Sequence, residues 1–493
     1  MGACLLALLA VPARAVDRPV PSANFPTISS AVAAAQSGDR ILVAPGIYQE
    51  HVVSAVPNLQ FIGRDAVWDG TLVNGSAGVC LTATGDGTLV QGFIFRAGQS
   101  NVAQVQLTGD GCRVLKCLAR GPNSRFLRIE GNSALVDSCS LLAVNSTAIE
   151  IIGDGAVVRK VKARQCDDVV VGVQGNGATV TRCTMSLNED SASVSIGGND
   201  AIVSLNTFLN CDIAISITGA NATVANNKAA HLGFFLLLTG TNAFVQNNRV
   251  LSCTGTFLNV DGNNAFVRNN RASTVGGTFL SVFSDNAVVE NNHGVAAGTI
   301  FVTGDGITIR GNTISDAPND KTGLTATSRT AAGGGLIENN WVKDMAQSGL
   351  VLNCHHTVVR GNHVIGAGIE FGESGCVVGG SGNEMTNNVV TGGGTHGFDI
   401  TGPNNTLVQC LAFDSAADGF HIAADGNTLL GCVAMNCTGE GLDNGAADTT
   451  VMACIFKSNR LDVANDGTFS NAATFTVDNV FTTGGPNQSP QVD

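Results

Sequence analysis

Between residues 223 and 292 the sequence repeats one short unit, which reads TVANN from residue 223, FVQNN from 244, FVRNN from 266 and VVENN from 288. The spacing is about 22 residues, and a fixed spacing of this size is typical of solenoids and propellers. The unit, Val or Ile followed three residues later by Asn or Cys, extends far along the chain. Its pairs are Val114/Cys117, Val136/Cys139, Val180/Cys183, Val203/Asn206, Val224/Asn227, Val245/Asn248, Val267/Asn270, Val289/Asn292, Ile309/Asn312, Ile337/Asn340 and Val359/Asn362.

The segments between Gly-, Asn- and Asp-containing turns are short, β-branched and alternating, as at 214–217 and 299–302. No part of the repeat has the sustained 3.6-residue apolar period of a helical solenoid, and the Trp-Asp signal of a propeller is missing. A coil of three short strands and three turns remains. We therefore predict an all-β fold, a right-handed parallel β-helix of about 16 coils of ~22 residues that stack ~4.8 Å apart.

Composition narrows the function classes. The chain is 44% hydrophobic and only 13% charged, which excludes a disordered protein. No apolar run reaches the ~20 residues of a membrane-spanning helix, so we predict no transmembrane segment. A net charge of −13 argues against nucleic acid as the main partner, because phosphate binding needs surplus Lys and Arg.

The N-terminus is typical of an export signal. Residues 3–11 are almost wholly apolar, and Ala13-Arg14-Ala15 has the form of an A-x-A cleavage site. We predict a signal peptide over residues 1–15 and a secreted or periplasmic protein. Cys4 would leave with the signal, and fourteen of the 15 cysteines would remain.

Residues 27–48, TISSAVAAAQSGDRILVAPGIY, resemble the N-terminal cap of the pectin-lyase-like and NosD-like β-helix proteins. The resemblance implies a short helix that covers the open end of the first coil, followed by a strand that starts the stack. We assign residues 16–60 to this cap and the first coil, 61–461 to the β-helix, and 462–493 to a C-terminal cap. The resemblance is specific for fold alone, because such coils host lyases, hydrolases, epimerases, binding proteins and phage fibres.

In-register stacking predicts what the repeated residues do. An inward column of asparagines from Asn206 to Asn388 would link its side-chain amides along the stack and satisfy turn backbone groups. Cysteines at equivalent positions are interpreted chiefly as small buried core residues. No paired C-x-x-C motif indicates a metal site, and we predict no cofactor, with calcium left open.

Phe235, Phe257 and Phe279 fall at matching strand positions, and we place them in one outward column. An exposed Phe stripe would mark a ligand platform or a surface for oligomerisation. Sugar-stacking platforms usually use Trp and Tyr, however, and the chain has 2 Trp and 1 Tyr.

One polar cluster carries candidate chemistry. Alternation in the segments 368–371, 397–400, 419–422 and 441–444 predicts an outward column of ionisable residues, and a second column lies one pleat away. The first column comprises Glu370, Asp399, His421 and Asp443, and the second comprises His396, Asp418 and Glu440. Insertions at 315–335 and 372–384 would wall a cleft over this face, where Lys321 and Arg329 would supply positive charge.

Several reactions fit these residue types. Carboxylates one rung apart match a retaining glycosidase and two rungs apart an inverting one, while His396 or His421 would serve as general base in a lyase or epimerase. The string Arg120-Gly121-Pro122-Asn123-Ser124-Arg125 resembles a pectate-lyase motif, but its partner motifs are missing. The acidic face favours a neutral or mildly charged glycan, because it would repel a polyanion.

Two hypotheses therefore stay open. One is an exported protein that binds or modifies an extracellular polysaccharide, in a lyase-like or hydrolase-like reaction, across residues 370–443. The other is a non-catalytic surface or periplasmic scaffold of the NosD type.

Overall fold

The computed structural model describes residues 15–72, 78–96, 102–121, 125–144, 146–317, 321–468, 474–477 and 491–492. These residues form two compact units, unit 1 up to Ile202 and unit 2 from Val203. Each unit is a right-handed parallel β-helix, so the predicted fold class is confirmed. The predicted signal peptide, part of the string at 120–125 and most of 462–493 lie outside the described residues.

Each coil has three strands, and each strand pairs with its equivalent one coil away. In unit 1 the first strands are Val52–Ser54, Leu81–Ala83, Val105–Leu107, Leu127–Glu130, Ile149–Ile152 and Val171–Gln174. The second strands are Asp17–Val20, Arg40–Val43, Gln60–Gly63, Leu89–Gln91, Arg113–Leu115, Leu135–Asp137, Val157–Arg159 and Thr179–Thr181. The third strands are Gly46–Tyr48, Ala66–Asp69, Ile94–Arg96, Leu118–Arg120, Ser140–Leu142 and Lys162–Arg164. The long strand Thr184–Gly197 runs from a third-strand position into the next first-strand position. The strand Ile202–Ser204 contains the boundary between the units.

Unit 2 has the same layout. Its first strands are Leu258–Asp261, Leu280–Phe283, Ile300–Thr303, Leu324–Thr327, Leu350–Asn353, Cys376–Val378, Phe398–Ile400, Phe420–Ile422, Glu440–Asn444 and Leu461–Asn465. The second strands are Thr223–Ala225, Phe244–Gln246, Phe266–Arg268, Val288–Glu290, Ile307–Arg310, Gly335–Glu338, Thr357–Arg360, Glu384–Thr386, Thr406–Val408 and Thr428–Leu430. The third strands are Arg249–Val250, Arg271–Val275, His293–Ala297, Thr313–Ala317, Trp341–Met345, His363–Ala367, Val389–Thr391, Leu411–Phe413 and Val433–Met435. Thr207–Thr218 and Lys228–Thr239 each join a third strand to the next first strand, Thr450–Lys457 joins a second to a third strand, and the strands Thr474–Val477 and Gln491–Val492 follow. The second strands of the two units together mark more coils than the sixteen that the repeat predicts.

The predicted helical cap is present. A helix at Ile28–Ala33 begins at Thr27, whose side chain accepts a hydrogen bond from the Ser30 amide, and it buries Ile28, Ala31 and Val32. One strand precedes it, which the sequence analysis missed: Asp17–Val20 pairs with Arg40–Val43. A short 3₁₀ helix at Gly70–Leu72 is the other helical element among the described residues.

The asparagine column is buried and continuous in unit 2. The side-chain nitrogen of Asn270 donates to the Val245 carbonyl and to Oδ1 of Asn292, each at 3.0 Å, and its own Oδ1 accepts from Asn248. A second ladder, formed by Asn383, Asn405 and Asn427 in the turns between first and second strands, was not predicted. Both ladders satisfy backbone groups that the turns leave without partners.

The Phe column faces the core, so the predicted exposed platform is wrong. Phe235, Phe257 and Phe279 are each 0% exposed, and their rings stack at 5.5 Å. Phe257 and Phe279 each precede a first strand whose first residue is also buried, because the chain turns a corner there, and Phe235 takes the equivalent place inside the joined strand Lys228–Thr239. Alternation of inward and outward side chains holds within a straight strand and fails across the corner. The predicted oligomer contact through this stripe loses its basis.

The described cysteines are free and buried, which agrees with their interpretation as core residues. Cys410 continues the asparagine column, since the Asn388 side-chain nitrogen lies 3.9 Å from its sulfur. No helix in the described ranges is long and apolar enough to span a membrane.

Candidate acid–base site on the first-strand face

The candidate site is built on three consecutive first strands of unit 2. Phe398 and Phe420 stack inside the core at 5.0 Å with nearly parallel rings. Their inward direction turns the next residue of each strand outward, so that Asp399 lies beside His421 on the neighbouring coil, and His421 lies beside Asp443.

A glycine at the start of each of these strands makes the arrangement possible: Gly397 and Gly419 precede their strands, and Gly441 is the second residue of its own. A Cβ atom added to Gly419 would lie 2.3 Å from Cβ of Ala434, so no side chain fits at this corner. In earlier coils Phe257 fills this corner. Here the residue that follows each glycine, Phe398 or Phe420, fills it instead. The residue before each glycine then lies at the edge of the same face, and these residues are His396, Asp418 and Glu440.

The structure brings five of the seven predicted residues together in two pairs and a third contact, and Glu440 joins them as the sixth. Nδ1–H of His421 donates to Oδ1 of Asp399 at 2.8 Å, and Nε2 of His421 lies 3.9 Å from Oδ2 of Asp443. Nδ1 of His396 lies 2.8 Å from Oδ2 of Asp418 in an ion-pair contact without good hydrogen-bond geometry. The two imidazole rings stack at 4.6 Å.

Glu440 completes the cluster. Its amide donates to Oδ1 of Asp418 at 2.7 Å, and the two carboxyl groups share a hydrogen bond. On its other side Glu440 pairs with Arg460 at 2.5 Å. The side chains of Asp418 and Glu440 are only 8% and 16% exposed, so their interaction is weakly screened by solvent.

Local electrostatics separate the pKa values of these two acids. The hydrogen bond to Asp418, followed by burial, raises the pKa of Glu440 to about 7. Burial alone would raise the pKa of Asp418, but the close contact with His396 and the hydrogen bonds from Glu440 outweigh burial and hold that pKa below its usual range. One carboxyl group therefore keeps a proton near neutral pH while its neighbour is ionised.

The column formed by Asp399, His421 and Asp443 also contains groups whose pKa values are shifted. The hydrogen bond from His421 to Asp399 raises the pKa of His421 against the effect of burial. Burial, and then the charge of Asp418, raises the pKa of Asp443. Because His421 fills the space between Asp399 and Asp443, these two carboxylates do not form the open pair of an inverting glycosidase.

Glu370 is not part of the cluster, and this prediction is wrong. The strand that pairs with Phe398–Ile400 is Cys376–Val378, so Val377 occupies the place predicted for Glu370. Glu370 is exposed in the connection at 368–375. The sequence did contain a signal for the correct alignment, because residues 375–378 precede residues 397–400 by the regular 22 residues.

Lys321 and Arg329 lie away from the cluster. Each flanks the first strand Leu324–Thr327, which is separated from Phe398–Ile400 by two intervening strands. Arg329 points toward earlier coils, where it pairs with Asp285 at 3.2 Å. Neither cation offsets the acidic charge of the site.

The connection at 368–375 contributes a feature that the sequence analysis missed. Ile369 and Phe371 are 66% and 52% exposed. The loop touches the coil of the site, since the Thr395 amide donates to the Glu373 carbonyl at 2.9 Å and Ser374 Oγ lies 3.0 Å from Thr395 Oγ1. Two exposed apolar side chains therefore belong to a loop that contacts Thr395, the residue before His396.

No group of three or more His, Cys, Asp or Glu side chains in the parts of the chain that the structure describes could hold a metal ion. Three surface depressions were found at other places, one in unit 1 around Pro19 and Arg64 and two in unit 2 along the third strands.

Comparison with known proteins supports the fold. Residues 233–374 match the family model of the right-handed beta helix region. No curated protein gave a significant match.

Several solved structures are similar in part. A PL6 family polysaccharide lyase from Pseudopedobacter saltans is 14% identical with a TM-score of 0.41, over 61% of this chain and 84% of that one. A tailspike protein of E. coli bacteriophage HK620, solved with a pentasaccharide, is 12% identical with a TM-score of 0.39, over 75% and 74%. PfbA, a surface adhesin of Streptococcus pneumoniae, is 11% identical with a TM-score of 0.35, over 61% and 85%. At these values the likenesses carry no functional argument.

Proposed function

We propose that this protein cleaves glycosidic bonds of a neutral or weakly charged polysaccharide at the face formed by His396, Asp399, Asp418, His421, Glu440 and Asp443. One observation carries the proposal: Glu440 holds a proton up to about pH 7 directly beside an ionised Asp418. A pair of carboxyl groups whose pKa values are driven apart is the arrangement that acid–base cleavage of a glycoside needs.

In this proposal Glu440 is the general acid that protonates the departing glycosidic oxygen. A water molecule that gives its proton to the Asp443 carboxylate attacks the anomeric carbon, so that a C–OH bond forms as the C–O bond to the departing sugar breaks. Asp418 and His396 orient Glu440, and the positive charge of His421 is balanced by Asp399 and Asp443. Four carboxyl groups on one face disfavour a polyuronate at this site, because like charges repel. Phe371 and Ile369 offer an apolar surface to the C–H face of a sugar ring at the edge of the cluster.

The test is a screen of neutral and weakly charged polysaccharides for new reducing ends, with the wild type, Glu440→Gln and Asp418→Asn. We expect Glu440→Gln to lower the rate at least 100-fold, which is the usual contribution of general acid catalysis. The wild-type rate should fall above about pH 7, where Glu440 loses its proton. Glu338→Gln is the matched control, because Glu338 also pairs with an arginine, Arg360, but lies on a second strand.

A non-catalytic scaffold is the second candidate, and one contact favours it. His421 is held between two carboxylates, as a purely structural polar ladder would hold it. If no polysaccharide in the screen is cleaved, or if Glu440→Gln cleaves at the wild-type rate, the catalytic proposal fails and the scaffold stands.

We further propose that the protein works outside the cytoplasm, in accord with the apolar leader at residues 3–15. Fractionation of cells that produce the full chain would test this, and a protein found only in the cytoplasm would contradict it.

A further inference from the structure

The third strands of unit 2 carry a column of cations. Lys228 pairs in register with Arg249, Arg249 with Arg271, and Arg271 with His293. These four residues, called the basic column below, lie on consecutive coils at intervals of ~4.8 Å and are exposed. Lys228, Arg249 and Arg271 place a cation on the same side of three successive coils, which gives a linear array of positive charge, and His293 continues the column on the next coil.

The charge of this column is not neutralised within the protein. No carboxylate in the described ranges lies within 4.0 Å of Lys228, Arg249 or Arg271, whereas four other arginines of unit 2, namely Arg310, Arg329, Arg360 and Arg460, are paired. Arg310, Arg360 and Arg460 each contact a glutamate. Residues that make no internal ion pair retain their full attraction for an external anion.

The neighbouring residues also suit an anion. Asn247, Asn269 and Asn291 form an exposed column in the turn before the third strands. Together with Arg249 and Arg271 they line a surface depression of about 400 Å³. Side-chain amides donate hydrogen bonds to carboxylate or sulfate oxygens, and arginine can bind such groups through two parallel bonds.

An apolar border accompanies the cations. A second depression of about 300 Å³ is lined by Lys228 and Arg249 together with Leu209 and Leu251, which are 38% and 56% exposed. A surface that places exposed leucines in a column beside the cations matches a sugar chain, whose rings present C–H faces as well as charged substituents.

These features favour a glycan over nucleic acid. Nucleic acid binding draws on many phosphate contacts and on aromatic side chains that stack with bases. The basic column has three cations and one histidine, neither depression is lined by an aromatic residue, and the chain as a whole carries a charge of −13.

We propose that the basic column binds an anionic polysaccharide, carboxylated or sulfated, whose chain runs along the stack of coils. This site is independent of the proposed function: it lies on the third strands of earlier coils, whereas the acid–base cluster lies on the first strands of later ones. It would anchor the protein on an acidic glycan whether or not the cluster is catalytic.

The test is affinity electrophoresis of the full chain in gels containing polygalacturonate, dextran sulfate or uncharged dextran. We expect retardation by at least one of the two anionic polymers and not by dextran, with an effect that weakens as salt is raised. The two anionic arms separate carboxylate from sulfate recognition. The double variant Arg249→Gln/Arg271→Gln should bind at least 10-fold more weakly, with an unchanged urea midpoint.

The matched control removes the same charge from paired arginines, Arg310→Gln/Arg360→Gln, and should bind like the wild type. The proposal is overturned if neither anionic polymer retards the wild type, if the basic-column variant binds unchanged, or if both double variants lose binding equally. Single-stranded DNA that binds more tightly than both polymers would assign the surface to nucleic acid instead. Glu440→Gln should bind the polymers as the wild type does, so the binding result can be interpreted even if the catalytic proposal fails.

Discussion

At the scale of single residues, Glu440 and Asp418 are the pair with the most informative environment. They share a hydrogen bond at the edge of the first-strand face, and Asp418 stays ionised while Glu440 holds its proton to about pH 7. Because a shifted pKa reflects a difference between folded and unfolded states, this pair must leave a signature in the pH dependence of stability.

The predicted signature comes from Glu440. Its pKa rises from 4.5 in the unfolded chain to about 7, so between these values the folded state binds a proton that the unfolded state has released. That contribution is fully present below about pH 4.5 and is lost as the pH rises through about 7. Glu440→Gln keeps an amide donor toward Asp418 at every pH. We expect the variant to gain about 1–3 kcal/mol relative to the wild type between pH 4.5 and 7.5, measured by urea unfolding.

Asp418 has a lowered pKa, so the stability it adds is lost at acid pH, below this window. As the control, Glu338→Gln should show the same pH dependence of unfolding free energy as the wild type. If Glu440→Gln also shows the wild-type dependence throughout, the shared proton does not exist.

At the scale of elements, the asparagine ladder connects one coil with the next. Asn270→Ala removes hydrogen bonds to Val245, Asn248 and Asn292 in a buried turn. We expect a loss of about 2–4 kcal/mol, because several buried polar groups lose their partners at once. The urea midpoint of unfolding measures this loss. Asn353→Ala is the control, since Asn353 is exposed and should change stability by less than about 0.5 kcal/mol. Equal midpoints for both variants would contradict the role of the ladder.

The Phe column provides a second test at this scale. Phe257 is 0% exposed and stacks on Phe235 and Phe279. Phe257→Ala should cost about 3–5 kcal/mol of unfolding free energy because it opens a cavity in a narrow core. Phe371→Ala, at a 52% exposed position, should leave the urea midpoint almost unchanged. A Phe257 variant as stable as the Phe371 variant would mean that the column is not core.

These two elements also show what the sequence can and cannot predict. The ladder was predictable, because in-register stacking places a residue that repeats once per coil in contact with its equivalent on the neighbouring coil. The direction of Phe257 was not, because side chains alternate only within a straight strand and this residue lies at a corner. The sequence signal is a change of corner residue, from Phe at 235, 257 and 279 to glycine at 397, 419 and 441.

The candidate site, like these two elements, was predicted only in part. Residues in coils of constant length, such as Asp399, His421 and Asp443, came together as expected. Glu370 did not, because its coil contains an extra loop and the following strand regains the regular spacing only at Gly375. Which carboxyl group keeps its proton depends on contacts of less than 3 Å, and these follow from side-chain geometry that spacing does not encode.

At the scale of the whole molecule, each unit separates its charges by position in the coil. Acidic residues recur in the turn after the first strand, where Asp110 and Asp154 in unit 1 accept backbone N–H groups of the next coil at 2.7 Å. Cations recur at the third strands, at Lys162 and Arg164 in unit 1 and at the basic column in unit 2. A chain with a net charge of −13 can thus still present a basic surface.

The cysteines allow a test that covers both units at once. Fourteen free thiols are buried along the stack. Burial raises the pKa of Cys80 to about 12 and that of Cys183 and Cys354 to about 11. A thiol must be deprotonated and accessible to react, so closed coils protect these residues even in an oxidising compartment.

We therefore expect the native protein, produced from residue 16 onward, to give less than about one equivalent of reaction with Ellman's reagent at pH 8. In denaturing urea the same sample should give about fourteen equivalents, which is the control for thiols already oxidised. Asn270→Ala should raise the native reaction rate, because weakening one turn opens neighbouring coils locally. Several equivalents reacting in the native wild type would show that the coils are open, and a low count in urea would show that the cysteines form disulfides.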